Sequence, residues 1–159
     1  MEMNFLAILV AALSTLIVGF VWYGPLFGKV WMKENGFSEE EMKKGNMLKI
    51  FGLTIVFSLL FAMIMQVLVI HQFGALGMIG GDVTTAKQSY VDFMADYGNA
   101  YRTYKHGALH GFMTGIFLAF PMIAINGLFE RKSWKYIFIH SGYWTVCMII
   151  IGAIVCGWV

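Results

Sequence analysis

Residues 136–158 read YIFIHSGYWTVCMIIIGAIVCGW and contain no Asp, Glu, Lys or Arg. A run of about 20 predominantly apolar residues is long enough for a helix to cross the hydrocarbon core of a bilayer. Three further predominantly apolar runs lie at 4–23, 47–70 and 107–128, and the second of them contains one charged residue, Lys49. Backbone polar groups inside a bilayer need internal partners, so each run is predicted to be a helix. The sequence therefore predicts an all-α fold, a polytopic membrane protein with four transmembrane helices in two hairpins.

The composition of the whole chain supports this fold class. Of the 159 residues, 59% are hydrophobic and 13% are charged. A soluble domain carries about 25% charged residues, and a disordered chain needs low hydrophobicity, so both classes are excluded. The length allows about one domain, and we expect residues 1–159 to form it. The net charge of +2 gives no basic surface for nucleic acid. The expected partners are the lipid bilayer and other membrane proteins or a second copy of the chain.

The basic residues predict the orientation. Eight of the 11 Lys and Arg lie in or beside the connections 24–46 and 129–135. By the positive-inside rule these two connections are cytoplasmic, and both termini face outward. The first run has no basic residue before it, so we expect a retained helix rather than a signal peptide. Within 24–46, Ser38 and Glu41 are predicted to form a capping box that starts a short helix.

The connection 71–106 is the longest and is predicted to lie outside. Its glycine-rich first part is predicted to be a loop, and an amphipathic helix is predicted to follow. Tyrosines favour a membrane interface, where the ring is dry and the hydroxyl is wet. This outer helix either covers the bundle or recruits an external partner. The tyrosines expected to form this interface are Tyr90, Tyr97 and Tyr101, and we call them the tyrosine surface.

A stripe of small residues marks the third run. Gly107, Gly111 and Gly115 are spaced four apart. Small residues at this spacing let helix backbones approach closely. The stripe predicts a tight interface, either within the bundle or toward another protein. Further along the same run, Pro121 is predicted to kink the helix.

Three histidines are the candidate metal ligands. His106 and His110 are four residues apart and share one helix face, and His71 ends the second run on the same outer side. Zinc accepts such nitrogen ligands, with an acid or water as the fourth. The alternative is a hydrogen-bonded structural cluster. The candidate acids are Asp82, Asp92 and Asp96.

Two further polar residues fall at the opposite, inner side. His140 lies near the start of the fourth run and Asn126 near the end of the third. Both are expected at similar depth. We predict that they form a hydrogen bond between helices, and the alternative is a role in proton transfer.

Two motifs carry a family resemblance. The first is WYGPLFGKVWM at 22–32, which begins with Trp22, Tyr23, Gly24 and Pro25. The second is NGLFERKS at 126–133, followed by GYW at 142–144. Together these segments resemble the uncharacterised membrane family DUF1761. The resemblance implies a four-helix membrane fold and a bacterial cytoplasmic (inner) membrane location. It implies no activity, substrate or catalytic residue.

The second motif suggests a contact between the hairpins. Glu130 and Arg131 follow Asn126 at the inner end of the third run. The turn at Tyr23–Lys29 is expected within reach. The hypothesis is an ion pair that holds the two hairpins together.

The function predicted from these features is non-enzymatic. The chain shows no nucleophile–base set, nucleotide-binding loop or haem-attachment motif, so we predict no catalytic residue and no cofactor. The small size and the outer amphipathic helix favour an accessory or scaffold subunit of a larger membrane complex. The first alternative is a small transporter or channel that acts as an oligomer. The second is a metal- or lipid-dependent membrane enzyme.

Overall fold

The computed structural model describes residues 2–159, and these residues contain no β-strand. Two π-helical segments interrupt the helices, at Trp22–Leu26 and at Gly115–Ala119, and Val83–Thr85 is a single 3₁₀ turn. In chain order the helices are α1 (Phe5–Val21), α2 (Gly28–Asn35), α3 (Glu39–Lys43), α4 (Met47–Val69), α5 (His71–Met78), α6 (Gln88–Tyr97), α7 (Tyr104–Thr114), α8 (Phe120–Phe129) and α9 (Trp134–Gly157).

Four helical stretches are long and apolar enough to cross a membrane. They are Phe5–Leu26, Met47–Val69, Tyr104–Phe129 and Trp134–Gly157. The predicted all-α fold with four such helices is confirmed. The observed bounds differ by a few residues from the predicted ones, because helix ends are decided by capping side chains. Thr103, whose hydroxyl accepts a hydrogen bond from the His106 amide, begins the third stretch earlier than hydropathy suggests.

Helix α9 is the centre of the bundle. It packs against α1, α4, α7 and α8, and it has the largest buried share of the four stretches. Helix α1 packs on α4 through small residues, where the Thr15 and Ser58 hydroxyls are 2.8 Å apart. The Tyr143 hydroxyl of α9 donates to the Thr15 carbonyl at 3.1 Å. One polar junction therefore joins three of the four long helices.

The glycine stripe lies inside the bundle. A Cβ atom built on Gly111 would be 2.1 Å from the Met148 carbonyl oxygen of α9, and one on Gly107 would be 2.0 Å from the Gly152 carbonyl oxygen. A Cβ on Gly115 would be 2.7 Å from the Thr145 Cα. The stripe is thus occupied by α9, so it offers no interface to another protein.

The outer connection differs from its prediction. The glycine-rich segment expected as a loop forms α5, because Gly74 and Gly77 lower helix stability by only about 1 kcal/mol each. The loop begins later, where Gly80 and Gly81 have positive φ angles of 74° and 83°. The tyrosine-bearing helix α6 is also shorter than the pattern suggests, since it ends at Tyr97.

Two local predictions, the capping box at Ser38 and the kink at Pro121, have clear outcomes. Ser38 and Glu41 form the expected capping box of α3. Hydrogen bonds from the Ser38 amide and hydroxyl hold the pKa of the Glu41 carboxyl below its ordinary value. At the other site, Pro121 lies in the first turn of α8, where its missing N–H is tolerated. The helical irregularity is the π-helical segment before it rather than a break at Pro121 itself.

The ion-pair hypothesis for Glu130 and Arg131 stays a prediction that no contact among residues 2–159 supports. Arg131 has a φ of 55° and occupies the left-handed position that ends α8. The hairpins are joined instead by a hydrogen bond from the Ser133 hydroxyl to the Glu34 carboxylate. This contact places both basic connections at one end of the bundle, which we call the basic end.

Candidate functional site

A cluster of three histidines lies at the end of the bundle opposite the basic end. One ring nitrogen each from His71, His106 and His110 lies within 4.8 Å of the other two. The Nε2 atoms of His71 and His106 are 3.0 Å apart. The ring centroids of His106 and His110 are separated by 4.4 Å, and those of His71 and His110 by 5.1 Å. The structure therefore brings the three predicted ligands together, and we call this group the histidine cluster.

Backbone geometry explains the convergence. Helix α4 stops at Ile70, whose extended conformation (φ −104°, ψ 99°) lets His71 begin a new helix in a new direction. His106 and His110 lie in the first two turns of α7, and side chains four residues apart share one face of a helix. The cluster thus joins the α4–α5 break to the start of α7.

Tyr101 packs against the cluster in an unusual backbone conformation. Its φ is 61°, and its ring centroid lies 5.1 Å from that of His106 and 6.2 Å from that of His71. A bulky residue in the left-handed region costs about 1–3 kcal/mol, and such residues concentrate at functional sites. The surrounding structure must hold Tyr101 in place.

Three side chains hold the segment around Tyr101. The buried Gln72 amide donates to the carbonyl oxygens of Tyr97 at 2.7 Å and Ala100 at 2.9 Å. The Arg102 guanidinium donates to the Cys156 carbonyl at 3.0 Å, and the Cys156 thiol donates to the Tyr101 carbonyl at 3.5 Å. Sequence analysis missed these supporting residues. The only signal was the position of Gln72 beside His71, and that does not reveal which carbonyl groups it contacts.

The predicted acids do not join the cluster. Asp82 accepts hydrogen bonds from the Thr84 amide and hydroxyl, which hold the pKa of its carboxyl below the ordinary value. Asp92 accepts a hydrogen bond from Gln88. Within residues 2–159, neither these residues nor Asp96 belongs to the metal-ligand group. A fourth ligand therefore has to come from solvent or from a bound molecule.

The amphipathic helix α6 lies loosely over the histidine end. It has no buried residue. A cavity of about 220 Å³ is lined by its Phe93 and Tyr97 together with His71 and Gln72. Tyr90 is half-buried, whereas Tyr97 and Tyr101 are exposed. The tyrosine surface is therefore available at the rim of the cluster, with space beneath it.

The motif at 22–25 attaches the first hairpin to α9. The Trp22 indole donates to the Ile139 carbonyl at 2.9 Å, and the Tyr23 hydroxyl lies 3.1 Å from His140 Nδ1. Gly24 has a non-helical conformation just before Pro25 and redirects the chain. The predicted bond between His140 and Asn126 is wrong, since His140 Nδ1 contacts Tyr23 and its buried Nε2 has no hydrogen-bond partner among residues 2–159. Asn126 is exposed.

Comparison with known proteins gives one match. The family described as a protein of unknown function (DUF1761) matches residues 6–156. Neither a curated protein nor a solved structure matches the chain. The matched range includes both sequence motifs and all three histidines of the cluster.

Proposed function

Since this chain belongs to the DUF1761 family, we propose that it is an integral membrane protein that binds a divalent transition-metal ion through His71, His106 and His110. The observation that carries the proposal is the convergence of three imidazole nitrogens within 4.8 Å of one another. His71 belongs to α5, whereas His106 and His110 belong to α7. The cluster therefore forms only in the folded bundle. The four long apolar helices support membrane insertion.

The chemistry of the cluster favours zinc or a neighbouring transition metal. Imidazole suits Zn, Cu, Fe and Ni, whereas Mg and Ca prefer oxygen ligands. Zn–N bonds of 2.0–2.1 Å in a tetrahedron place ligand nitrogens about 3.4 Å apart. The 3.0 Å distance between His71 and His106 Nε2 is close to this value.

The open side of the cluster suits an exchangeable fourth ligand. Three protein ligands plus water is a common arrangement at zinc. The cavity of about 220 Å³ beside His71 has space for water or a small molecule. We also propose a non-enzymatic role as an accessory or scaffold subunit of a larger membrane complex, favoured by the exposed apolar side chains of Val91, Phe93 and Tyr97 on α6. The same histidine cluster, with its open fourth position, also favours the metal-dependent enzyme alternative, whereas no contact of residues 2–159 gives comparable support to the transporter alternative.

The orientation is part of the proposal. We infer that the basic end faces the cytoplasm of a bacterial cell and that the histidine cluster faces outward, from the positive-inside rule. Cysteines introduced by Val83→Cys and Lys44→Cys give a direct test, since both native residues are exposed and the native Cys147 and Cys156 are buried. A membrane-impermeant maleimide is expected to label Val83→Cys in intact cells. It should label Lys44→Cys only after permeabilisation, and the reverse pattern would refute this orientation.

Metal content tests the ligand assignment. Purified protein, stripped with a chelator and dialysed against zinc, is expected to retain about one ion per chain. His106→Ala should weaken zinc binding more than about 100-fold, since loss of a second-shell contact alone costs 10–100-fold. Isothermal titration calorimetry in detergent measures both the number of zinc ions per chain and the Kd.

His140→Ala is the matched control, because this histidine lies on α9 near the basic end. It should bind zinc as the wild type does. Absence of saturable zinc binding by the wild type would contradict the proposal, as would equal losses in the two variants.

A further inference from the structure

The side chain of Gln72 connects the histidine cluster to the amphipathic helix α6. Gln72 is buried and follows His71 in the first turn of α5. Its amide nitrogen donates to the carbonyl oxygens of Tyr97, the last residue of α6, and of Ala100, in the turn that follows. Carbonyl groups at the end of a helix lack intrahelical donors. Gln72 therefore supplies hydrogen bonds to the C-terminal end of α6 from a different helix.

Helix α6 has few other attachments to the bundle. It contains no buried residue, and its other side-chain hydrogen bond lies within the helix. Among residues 2–159, the Gln72 amide is thus the only group that hydrogen-bonds α6 to another helix. The cavity of about 220 Å³ lined by Phe93 and Tyr97 leaves space beneath α6. Elements with few buried contacts open locally at low free-energy cost, so the attachment of α6 depends on Gln72.

His71 places the same turn of α5 in contact with α7. Its Nε2 atom lies 3.0 Å from that of His106, and the ring of Tyr101, which directly follows Ala100, packs against both rings. Zinc would replace this single contact between imidazoles by metal–nitrogen bonds of about 2.0–2.1 Å. A local opening that moves the start of α5 away from α7 would then break a metal bond as well as the two hydrogen bonds of Gln72. Bound zinc therefore makes this opening less frequent.

We propose that Gln72 is a positioning residue that couples metal binding at the histidine cluster to the attachment of α6. This coupling rests on the proposed function and extends it, because the exposed apolar side chains of α6 form the surface through which we expect a partner to bind. Coupling between two binding events is reciprocal. Zinc therefore strengthens the attachment of α6, and the attached α6 raises the affinity for zinc by the same factor. A Gln72 with a purely structural role would stabilise α6 equally with and without zinc.

Hydrogen–deuterium exchange of the purified protein in detergent, with and without saturating zinc, tests the coupling. In the wild type, the backbone amides of residues 91–97 are expected to exchange at least about fivefold more slowly with zinc, the lower end of typical coupling factors. Gln72→Met retains the length of the side chain but has no donor. In this variant the exchange of α6 should not respond to zinc, and the Kd for zinc should rise by the same factor, about fivefold or more.

Gln66→Met is the matched control, because Gln66 is a buried amide that accepts a hydrogen bond from the Asn4 amide rather than bonding to α6. This variant should keep the zinc response of the wild type. Slow exchange within α9, the centre of the bundle, reports that each variant is folded.

The outcomes separate the coupling from the metal site. Zinc binding by the wild type without slower exchange of α6 would overturn the coupling and leave the metal site in place. A folded Gln72→Met variant whose α6 responds to zinc like the wild type would also overturn it. Absence of zinc binding by the wild type would contradict the proposed function, and the coupling with it.

Discussion

Replacing Gly111 with alanine is expected to destabilise the bundle by about 3 kcal/mol, the upper end of the usual cost of overpacking. The added Cβ would lie 2.1 Å from the Met148 carbonyl oxygen and 2.8 Å from the Ile149 Cα. Both neighbours are backbone atoms of α9, so no side-chain rotation relieves the contact. Helices α7 and α9 have to separate, and the packing along the whole stripe is lost.

Unfolding of the purified protein in mixed detergent micelles, followed by circular dichroism, measures this effect. Gly52→Ala is the matched control, because Gly52 lies within α4 and a Cβ there would meet no atom within 4 Å. That substitution should raise stability by up to about 1 kcal/mol through helix propensity. If Gly111→Ala unfolds at the same denaturant concentration as Gly52→Ala, the α7–α9 interface is not as close as described.

Zinc is expected to raise the free energy of unfolding by about 4 kcal/mol when its concentration is about 1,000 times its Kd. The stabilisation arises because the histidine cluster joins the start of α5 to the start of α7, and the unfolded chain does not hold the three rings together. His71→Ala removes the ligand contributed by the first of these segments. Nearly all of the zinc-dependent stabilisation should then disappear.

Thermal unfolding monitored by tryptophan fluorescence, with and without zinc, provides the measurement. His140→Ala should keep the wild-type response, because His140 contacts Tyr23 rather than the cluster. Magnesium should have little effect on any of the proteins, since it prefers oxygen ligands. An equal zinc response in His71→Ala and the wild type would show that His71 is not a ligand.

The contacts of individual polar residues illustrate what sequence patterns leave open. The sequence predicts a hydrogen bond between His140 and Asn126 because both are expected at similar depth in the membrane. In the structure, His140 contacts Tyr23 and Asn126 is exposed. Depth follows from a residue's position in an apolar run. Direction depends on the rotation of each helix about its axis, which is decided by packing. The glycine stripe shows the same division, because its spacing predicts close packing and only the structure identifies α9 as the partner.

The histidine cluster combines both kinds of information. The spacing of His106 and His110 places them on one helix face, and the end of the second apolar run places His71 at the same side of the bundle. Their 4.8 Å convergence depends also on the break at Ile70 and on the strained conformation of Tyr101. These backbone features follow from the contacts of Gln72, Arg102 and Cys156, which lie far apart in the chain.

The four long apolar helices follow from sequence alone, because length and hydropathy are local properties and an apolar backbone segment satisfies its own hydrogen bonds as a helix. The central position of α9 and the contact of the two hairpins through Glu34 and Ser133 became known only from the packed structure. Those features depend on side-chain shape at helix crossings. Many different helix rotations bury similar apolar surface, so close packing selects among them.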